Sequence, residues 1–175
     1  MKAQRVAIVG ATGLVGQEFI KILEQHNFPM QSISLYASDR SAGKKMLVHK
    51  KEIKVKETTP ESFKDIDIAL FSAGADISRH FSPIAAKEGA VVIDNSAAFR
   101  MESWVPLVVP EINPEDIKLH KGIIANPNCS TIQMVVALNP LHRVNPIKRI
   151  IVTTFQSVSG TGSAAIEELT NQAKQ

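Results

Sequence analysis

The chain has 175 residues, 44% hydrophobic and 21% charged, with nine glycines, nine prolines and a mean hydropathy of zero. That balance excludes fibrous, collagen-like and disordered classes and gives enough apolar mass for one globular domain, or one and a fraction. The net charge of +3, 20 basic against 17 acidic residues, is scattered apart from Lys44, Lys45, Lys50 and Lys51, which argues against a nucleic-acid partner.

Residues 5–9 form a continuous apolar run closed by a glycine, the pattern of a buried parallel strand. From 14 to 26 the apolar positions Leu14, Val15, Phe19, Ile22 and Leu23 recur at helical spacing. Residues 33–37 read as a second strand. Met46, Val48, Ile53 and Val55 alternate around Lys50 and Lys51, which predicts an exposed antiparallel hairpin over 46–55. A third core strand falls at 66–71, a helix at 75–88 in spite of Pro83, and a fourth core strand at 91–93. Short strands at 105–109 and 123–124 are followed by a helix over 130–142, a long strand over 148–155 and a helix over 163–174. None of the apolar runs is long enough to cross a bilayer. Residues 1–5 lead into a strand rather than a signal-peptide core, so a cytoplasmic location without a membrane partner is expected.

Strands alternating with helices give βαβ units, hence an α/β fold with a mostly parallel sheet covered on both faces. The 148–155 run is strongly β-prone and needs neighbours on its edges. The expectation is therefore that these residues are the front part of a longer protein, with a second domain beginning near 130–150.

Gly10, Gly13 and Gly16 sit between the first strand and the first helix in the spacing G-x-x-G-x-x-G, a relative of the G-x-G-x-x-G fingerprint. Glycines there allow a tight turn and close approach of backbone N–H groups to a pyrophosphate at the positive end of the helix. After the second strand, Asp39 stands where an acid would bond a ribose 2′-hydroxyl and favour NAD. Ser38, Arg40 and Ser41 around it offer two hydroxyls and a guanidinium suited to a 2′-phosphate. The balance favours NADP, with Asp39 as the opposing sign.

Cys129 is the only cysteine, which excludes an intrachain disulfide and any metal site needing two thiolates; no metal site is expected. A lone thiol is either inert filler or a nucleophile. Here it follows an apolar strand and opens a helix within 126–131, where the helix dipole favours thiolate. A thiolate beside a nicotinamide suggests addition of sulfur to an aldehyde, loss of hydride from the adduct, and a thioester.

The glycine turn, residues 126–131 and residues 155–162 together resemble aspartate-β-semialdehyde dehydrogenase, and residues 94–100 and 105–113 look like further blocks of the same family. The likeness runs across essentially the whole chain and implies the N-terminal half of such an enzyme. It implies a Rossmann-like, doubly wound sheet over 1–130 that binds NADP, and over 131–175 the start of a second, α+β catalytic and dimerisation domain. Cys129 would become an acyl-thioester and Gln156 would hold the substrate or acyl intermediate. Arg100 would bind the phosphate or acyl phosphate, with help from Asn128. Gly10, Thr12, Gly13, Leu14 and Val15 would line the pyrophosphate, and Ser38, Arg40 and Ser41 the 2′-phosphate. Ser72, Ala73, Gly74, Ser159 and Gly160 would face the cofactor. None of the five histidines lies in a matching motif, and none is assigned to catalysis.

The residues allow plainer readings beside these. Arg100 could be a surface ion pair with Glu102 or Glu111, and Gln156 an ordinary polar residue at a strand end. The implied reaction interconverts β-aspartyl phosphate with aspartate semialdehyde and phosphate, towards lysine, methionine and threonine, in a homodimer. N-acetyl-γ-glutamyl-phosphate reductase shares the chemistry and is the nearest rival. A non-catalytic nucleotide-binding relative is the rival of another class. The 175 residues alone are expected to be inactive, since the family's acid–base histidine and substrate-carboxylate arginine belong to the other half.

Overall fold

A computed structural model describes residues 2–174, so Met1 and Gln175, the outermost residues of the two expected domains, lie outside the described residues. The chain begins with β1 (Gln4–Val9), α1 (Leu14–Gln25) and β2 (Met30–Ala37). An antiparallel hairpin of β3 (Lys45–Val48) and β4 (Lys51–Lys54) comes next, then the two-residue strand β5 (Lys56–Glu57). After it run β6 (Ile68–Phe71), α2 (Ala75–Lys87), β7 (Val91–Asp94), β8 (Ile123–Ala125), α3 (Cys129–Val144) and α4 (Ser163–Gln172).

Six strands form one sheet in the order β5-β2-β1-β6-β7-β8, with every neighbouring pair parallel. Side chains alternate between its two faces, as a pleated strand requires. Ala7, Val9, Ala69, Phe71, Val92 and Ile123 pack on one side with Phe63 and with Phe81, Ile84 and Ala85 of α2. Ile8, Leu35, Ala37 and Leu70 pack on the other with Phe19, Ile20 and Leu23 of α1. Helices thus cover opposite faces, and the sheet is doubly wound. Phe63 and Phe71 are fully buried, with ring centroids 5.8 Å apart. Burial of each stabilises the fold by about 1.5–3 kcal/mol.

Chain order reverses between β1 and β6: β2 lies on one flank of β1 and β6 on the other. In sheets of this kind the crevice beyond the carboxyl ends of such a strand pair is where ligands bind.

Three expectations are corrected. The hairpin exists, but it turns at His49 and Lys50, both at positive φ (46° and 63°), rather than at Lys50 and Lys51. It is also not simply exposed, because Val48 is buried and Met46 and Ile53 pack over the α1 side of the core. Residues 105–109 make a single parallel bridge, Leu107 to Ala125, instead of a strand. Pro106, which lacks an N–H, and Pro110 bracket the segment and limit its ladder. Residues 148–155 form no strand and pair with none among the described residues, with Ile151 87% and Phe155 98% exposed. Their β-propensity meets no adjacent strand, and propensity alone does not make a ladder.

Candidate active site

The first βα turn is built by close backbone contacts. Gly10 has φ +87°, and a Cβ there would lie 2.4 Å from the carbonyl oxygen of Ser72, so only glycine lets β1 and β6 leave the sheet side by side. Its N–H and that of Ala11 both donate to the Tyr36 carbonyl, at 2.9 and 3.0 Å. Gly13 is the N-cap of α1 and supplies no side-chain cap, and no acidic residue occupies the first turn. The leading N–H groups of α1 are therefore left for an anion. Gly74 opens α2 in the same way, without a side-chain cap.

Two adjoining grooves lie over this turn. The larger, about 700 Å³, gathers Gly10, Thr12, Gly13, Ser38, Arg40, Ser72 and Ala73. The smaller, about 380 Å³, gathers Leu14, Val15, Gly74, Ser159 and Gly160, and the two share Gly13, Ser72 and Ser163. Ser41 lines neither groove; its N–H donates to the Ser38 carbonyl at 2.9 Å and closes the short turn Asp39–Ser41. Sequence reasoning missed Glu57 at the end of β5 and Thr58 after it, Asn95 and Ser96 after β7, and Ser163 at the start of α4. Those of β5 and β7 lie at or just beyond the carboxyl ends of parallel strands, the one rule that would have found them.

Cys129 is exposed and is the first residue of α3, one earlier than the helix start expected at Ser130. Asn128 caps that helix: its Oδ1 accepts from the N–H groups of Ser130 and Thr131 at 3.0 and 3.3 Å. The carboxamide Nε2 of Gln156 lies 3.8 Å from the Cys129 Sγ. A Cβ at Gly160 would fall 2.1 Å from that same Nε2, so the glycine makes room for the amide. Gly160 also lines the smaller groove, together with Gly13, Leu14 and Val15 of the glycine turn.

Arg100 is half-buried and held by backbone: Nε donates to the Asn126 carbonyl at 2.9 Å and Nη2 to the Asn95 carbonyl at 3.0 Å. It makes no ion pair with Glu102 or Glu111 among the described residues. The Asn126 amide donates to the Asn95 Oδ1 at 2.6 Å, tying the segment before Cys129 to the groove wall. His120 and His142 each accept a backbone N–H, from Gly122 and Ile147, which are structural roles. No helix among the described residues is long and apolar enough to cross a membrane.

A 3-2-1-4-5-6 type strand order, a glycine turn at the switch point and an uncapped helix start together define a protein of the dinucleotide-binding α/β class. Residues 5–120 match the family described as "Semialdehyde dehydrogenase, NAD binding domain", and residues 138–175 match "Semialdehyde dehydrogenase, dimerisation domain". The chain belongs to the semialdehyde dehydrogenase family. It is 61% identical over 173 residues to the aspartate-semialdehyde dehydrogenase of Aquifex aeolicus, with 97% of this chain and 51% of that protein covered. Against the Bacillus subtilis enzyme of the same name it is 53% identical, with 97% and 49% covered. Among solved structures, aspartate semialdehyde dehydrogenase II of Vibrio cholerae complexed with ASA superposes with a TM-score of 0.93 at 48% identity, covering 98% of this chain and 52% of that one. The Candida albicans enzyme with NADP superposes with a TM-score of 0.72 at 33% identity, covering 83% and 48%. The chain thus spans about half the length of the curated relatives it matches.

Proposed function

We propose that the chain is the cofactor-binding and nucleophile-bearing part of an NADP-dependent aspartate-semialdehyde dehydrogenase. The enzyme would interconvert β-aspartyl phosphate with aspartate-β-semialdehyde and phosphate, on the route to lysine, methionine and threonine. The observation that carries the reading is the 3.8 Å approach of Gln156 Nε2 to an exposed Cys129 Sγ at a helix start, beside a glycine-built groove.

The residues present fit a dinucleotide. The cradle at Gly10 is one that any Cβ would fill, and the first turn of α1 offers unpaired N–H groups to a pyrophosphate. Ser38 and Arg40 border the same groove, where a hydroxyl and a guanidinium suit a 2′-phosphate, and Ser41 lies in the adjoining turn. A reduced nicotinamide held there supplies hydride to take the acyl group to the aldehyde level.

The chain's own residues do the rest. The Cys129 thiolate attacks the acyl carbon of β-aspartyl phosphate; the S–C bond forms, the C–O bond to phosphate breaks, and phosphate leaves with that electron pair. Gln156 donates its amide N–H towards the reacting sulfur and the acyl oxygen without adding charge. Arg100 has its Nε and Nη2 held by backbone carbonyls, which fixes the guanidinium close to the segment that leads into Cys129, where it can receive phosphate. Residues 1–130 would form the NADP-binding domain and 131–175 would begin the substrate and dimerisation domain of a cytoplasmic homodimer.

In a protein carrying both complete domains, Cys129→Ala should abolish turnover of β-aspartyl phosphate while NADPH still binds. Retained turnover would refute the nucleophile. Turnover of N-acetyl-γ-glutamyl phosphate in preference to β-aspartyl phosphate would refute the substrate.

A further inference from the structure

The ribose end of the larger groove carries an acid that the sequence pattern does not point to. β5 pairs with β2 in the register that sets Glu57 opposite Ala37, so Glu57 leaves the sheet edge level with the turn at Ser38, Asp39 and Arg40 and lines the same groove. The exit of β5 is fixed against that of β2, because the Thr58 N–H and Oγ1 both donate to the Ala37 carbonyl, at 2.9 and 3.1 Å. Asp39 is the acid that spacing alone would assign to a ribose hydroxyl, yet its Oδ1 accepts the Arg40 backbone N–H at 2.7 Å within its own turn. The Glu57 carboxylate is exposed and has no hydrogen bond or ion pair among the described residues. Two acids and one guanidinium therefore border one end of the groove, and of the acids only Glu57 has both carboxylate oxygens free.

We propose that Glu57, rather than Asp39, sets which ribose this groove accepts. Its carboxylate accepts a hydrogen bond from a free 2′-hydroxyl and repels a 2′-phosphate, working against Arg40, which attracts the phosphate. Arg40 thus favours the phosphorylated dinucleotide, and Glu57 sets how large that preference is. This rests on the reading of the groove as a dinucleotide site.

The test is titration of the wild-type chain, E57Q and D39N with NADP+ and with NAD+, by calorimetry or fluorescence quenching. Glutamine keeps the shape of an exposed side chain, so the fold is kept. E57Q should bind NADP+ about fivefold more tightly, the size of one solvent-exposed charge interaction, and NAD+ more weakly. The NADP+/NAD+ preference should move further in E57Q than in D39N. An unchanged preference in E57Q, or a larger shift in D39N, overturns the proposal while leaving the groove a dinucleotide site. A wild-type chain that binds neither dinucleotide overturns both.

Discussion

Ser78 donates its hydroxyl to Asp94 Oδ1 at 2.8 Å, both residues fully buried, and this bond joins the first turn of α2 to the carboxyl end of β7. The Ser96 N–H and hydroxyl bring two further bonds to the same carboxylate, at 3.0 and 2.8 Å. The Asp94 carbonyl accepts from the Asn126 N–H at 2.8 Å. The loop that carries Asn95 into the groove wall and leads on to Arg100 thus starts from one buried anchor. Ser78→Ala removes a donor from a carboxylate that water cannot reach. A loss of about 1.5–3 kcal/mol is expected, read as a lower urea midpoint at unchanged m-value. A midpoint equal to wild type would mean that Ser96 alone satisfies the carboxylate.

Gly16 holds α1 against the strand it follows. A Cβ there would sit 2.2 Å from the Gly10 carbonyl oxygen and 2.8 Å from the Ala11 Cα. Both neighbours are backbone, so the helix itself must lift. Gly16→Ala should cost about 1–3 kcal/mol as overpacking and should weaken NADP+ binding, because the shifted helix carries the N–H groups proposed to meet the pyrophosphate. Thermal unfolding and the same dinucleotide titration check both effects, and an unchanged Tm would show that the turn can relax.

Much of this architecture is readable in the residues. β1, β6 and β7 are short apolar runs, and their alternation with helical patterns dictates a parallel sheet. The glycine turn announces itself by spacing. What escapes reading is set by tertiary register. Lys56 and Glu57 carry no apolar signal and become a strand only because β2 offers an edge, which is why Glu57 and Thr58 were not foreseen at the groove. The 49–50 turn takes two positive-φ residues without the Asn-Gly signature that marks such turns, so the centre of the hairpin reads one residue late. Residues 148–155 show the opposite failure, with strong local preference and no strand to pair with among the described residues. The approach of Gln156 to Cys129 spans 27 positions, so no local spacing shows it, and only the family resemblance pairs the two residues.

The ion pair between Arg5 and Asp67 gives the chain an acid limb. Arg5 Nε and Nη2 reach the two carboxylate oxygens at 3.1 and 2.9 Å, and the Arg5 backbone N–H adds a third bond at 2.7 Å. Hydrogen bonding from the Arg5 side chain, more than any other cause, holds the Asp67 carboxyl at about 2, below its ordinary 3.8, and the pair raises Arg5 in turn. A carboxyl depressed in the folded state stabilises it above the unfolded value, and that contribution disappears as pH falls through the folded value. Asp67→Asn should therefore be less stable than wild type at neutral pH, and the gap between the two should close as pH falls from about 4 to about 2. Urea midpoints across that range measure it. A gap that stays constant down to pH 2 would show that Asp67 is not depressed.

Asn128 organises the start of α3 and with it the presentation of Cys129. Its Oδ1 serves two first-turn N–H groups, while α3 has no fully buried residue to hold the helix by packing. Loss of the cap should therefore open the helix locally instead of unfolding the sheet. Asn128→Ala is expected to cost about 1 kcal/mol at this helix, so amide exchange in its first turns should speed up about fivefold while β1 and β6 keep wild-type protection. Asn128→Asp keeps an acceptor oxygen and should restore the protection, but it sets a carboxylate beside the thiol. Cys129 is exposed, so both iodoacetamide and iodoacetate reach it in the native state, and the Asp variant should slow the anionic reagent more than the neutral one. Equal slowing of the two reagents would mean that the substitution displaces the sulfur, and wild-type exchange rates in Asn128→Ala would show that α3 is held by contacts other than its cap.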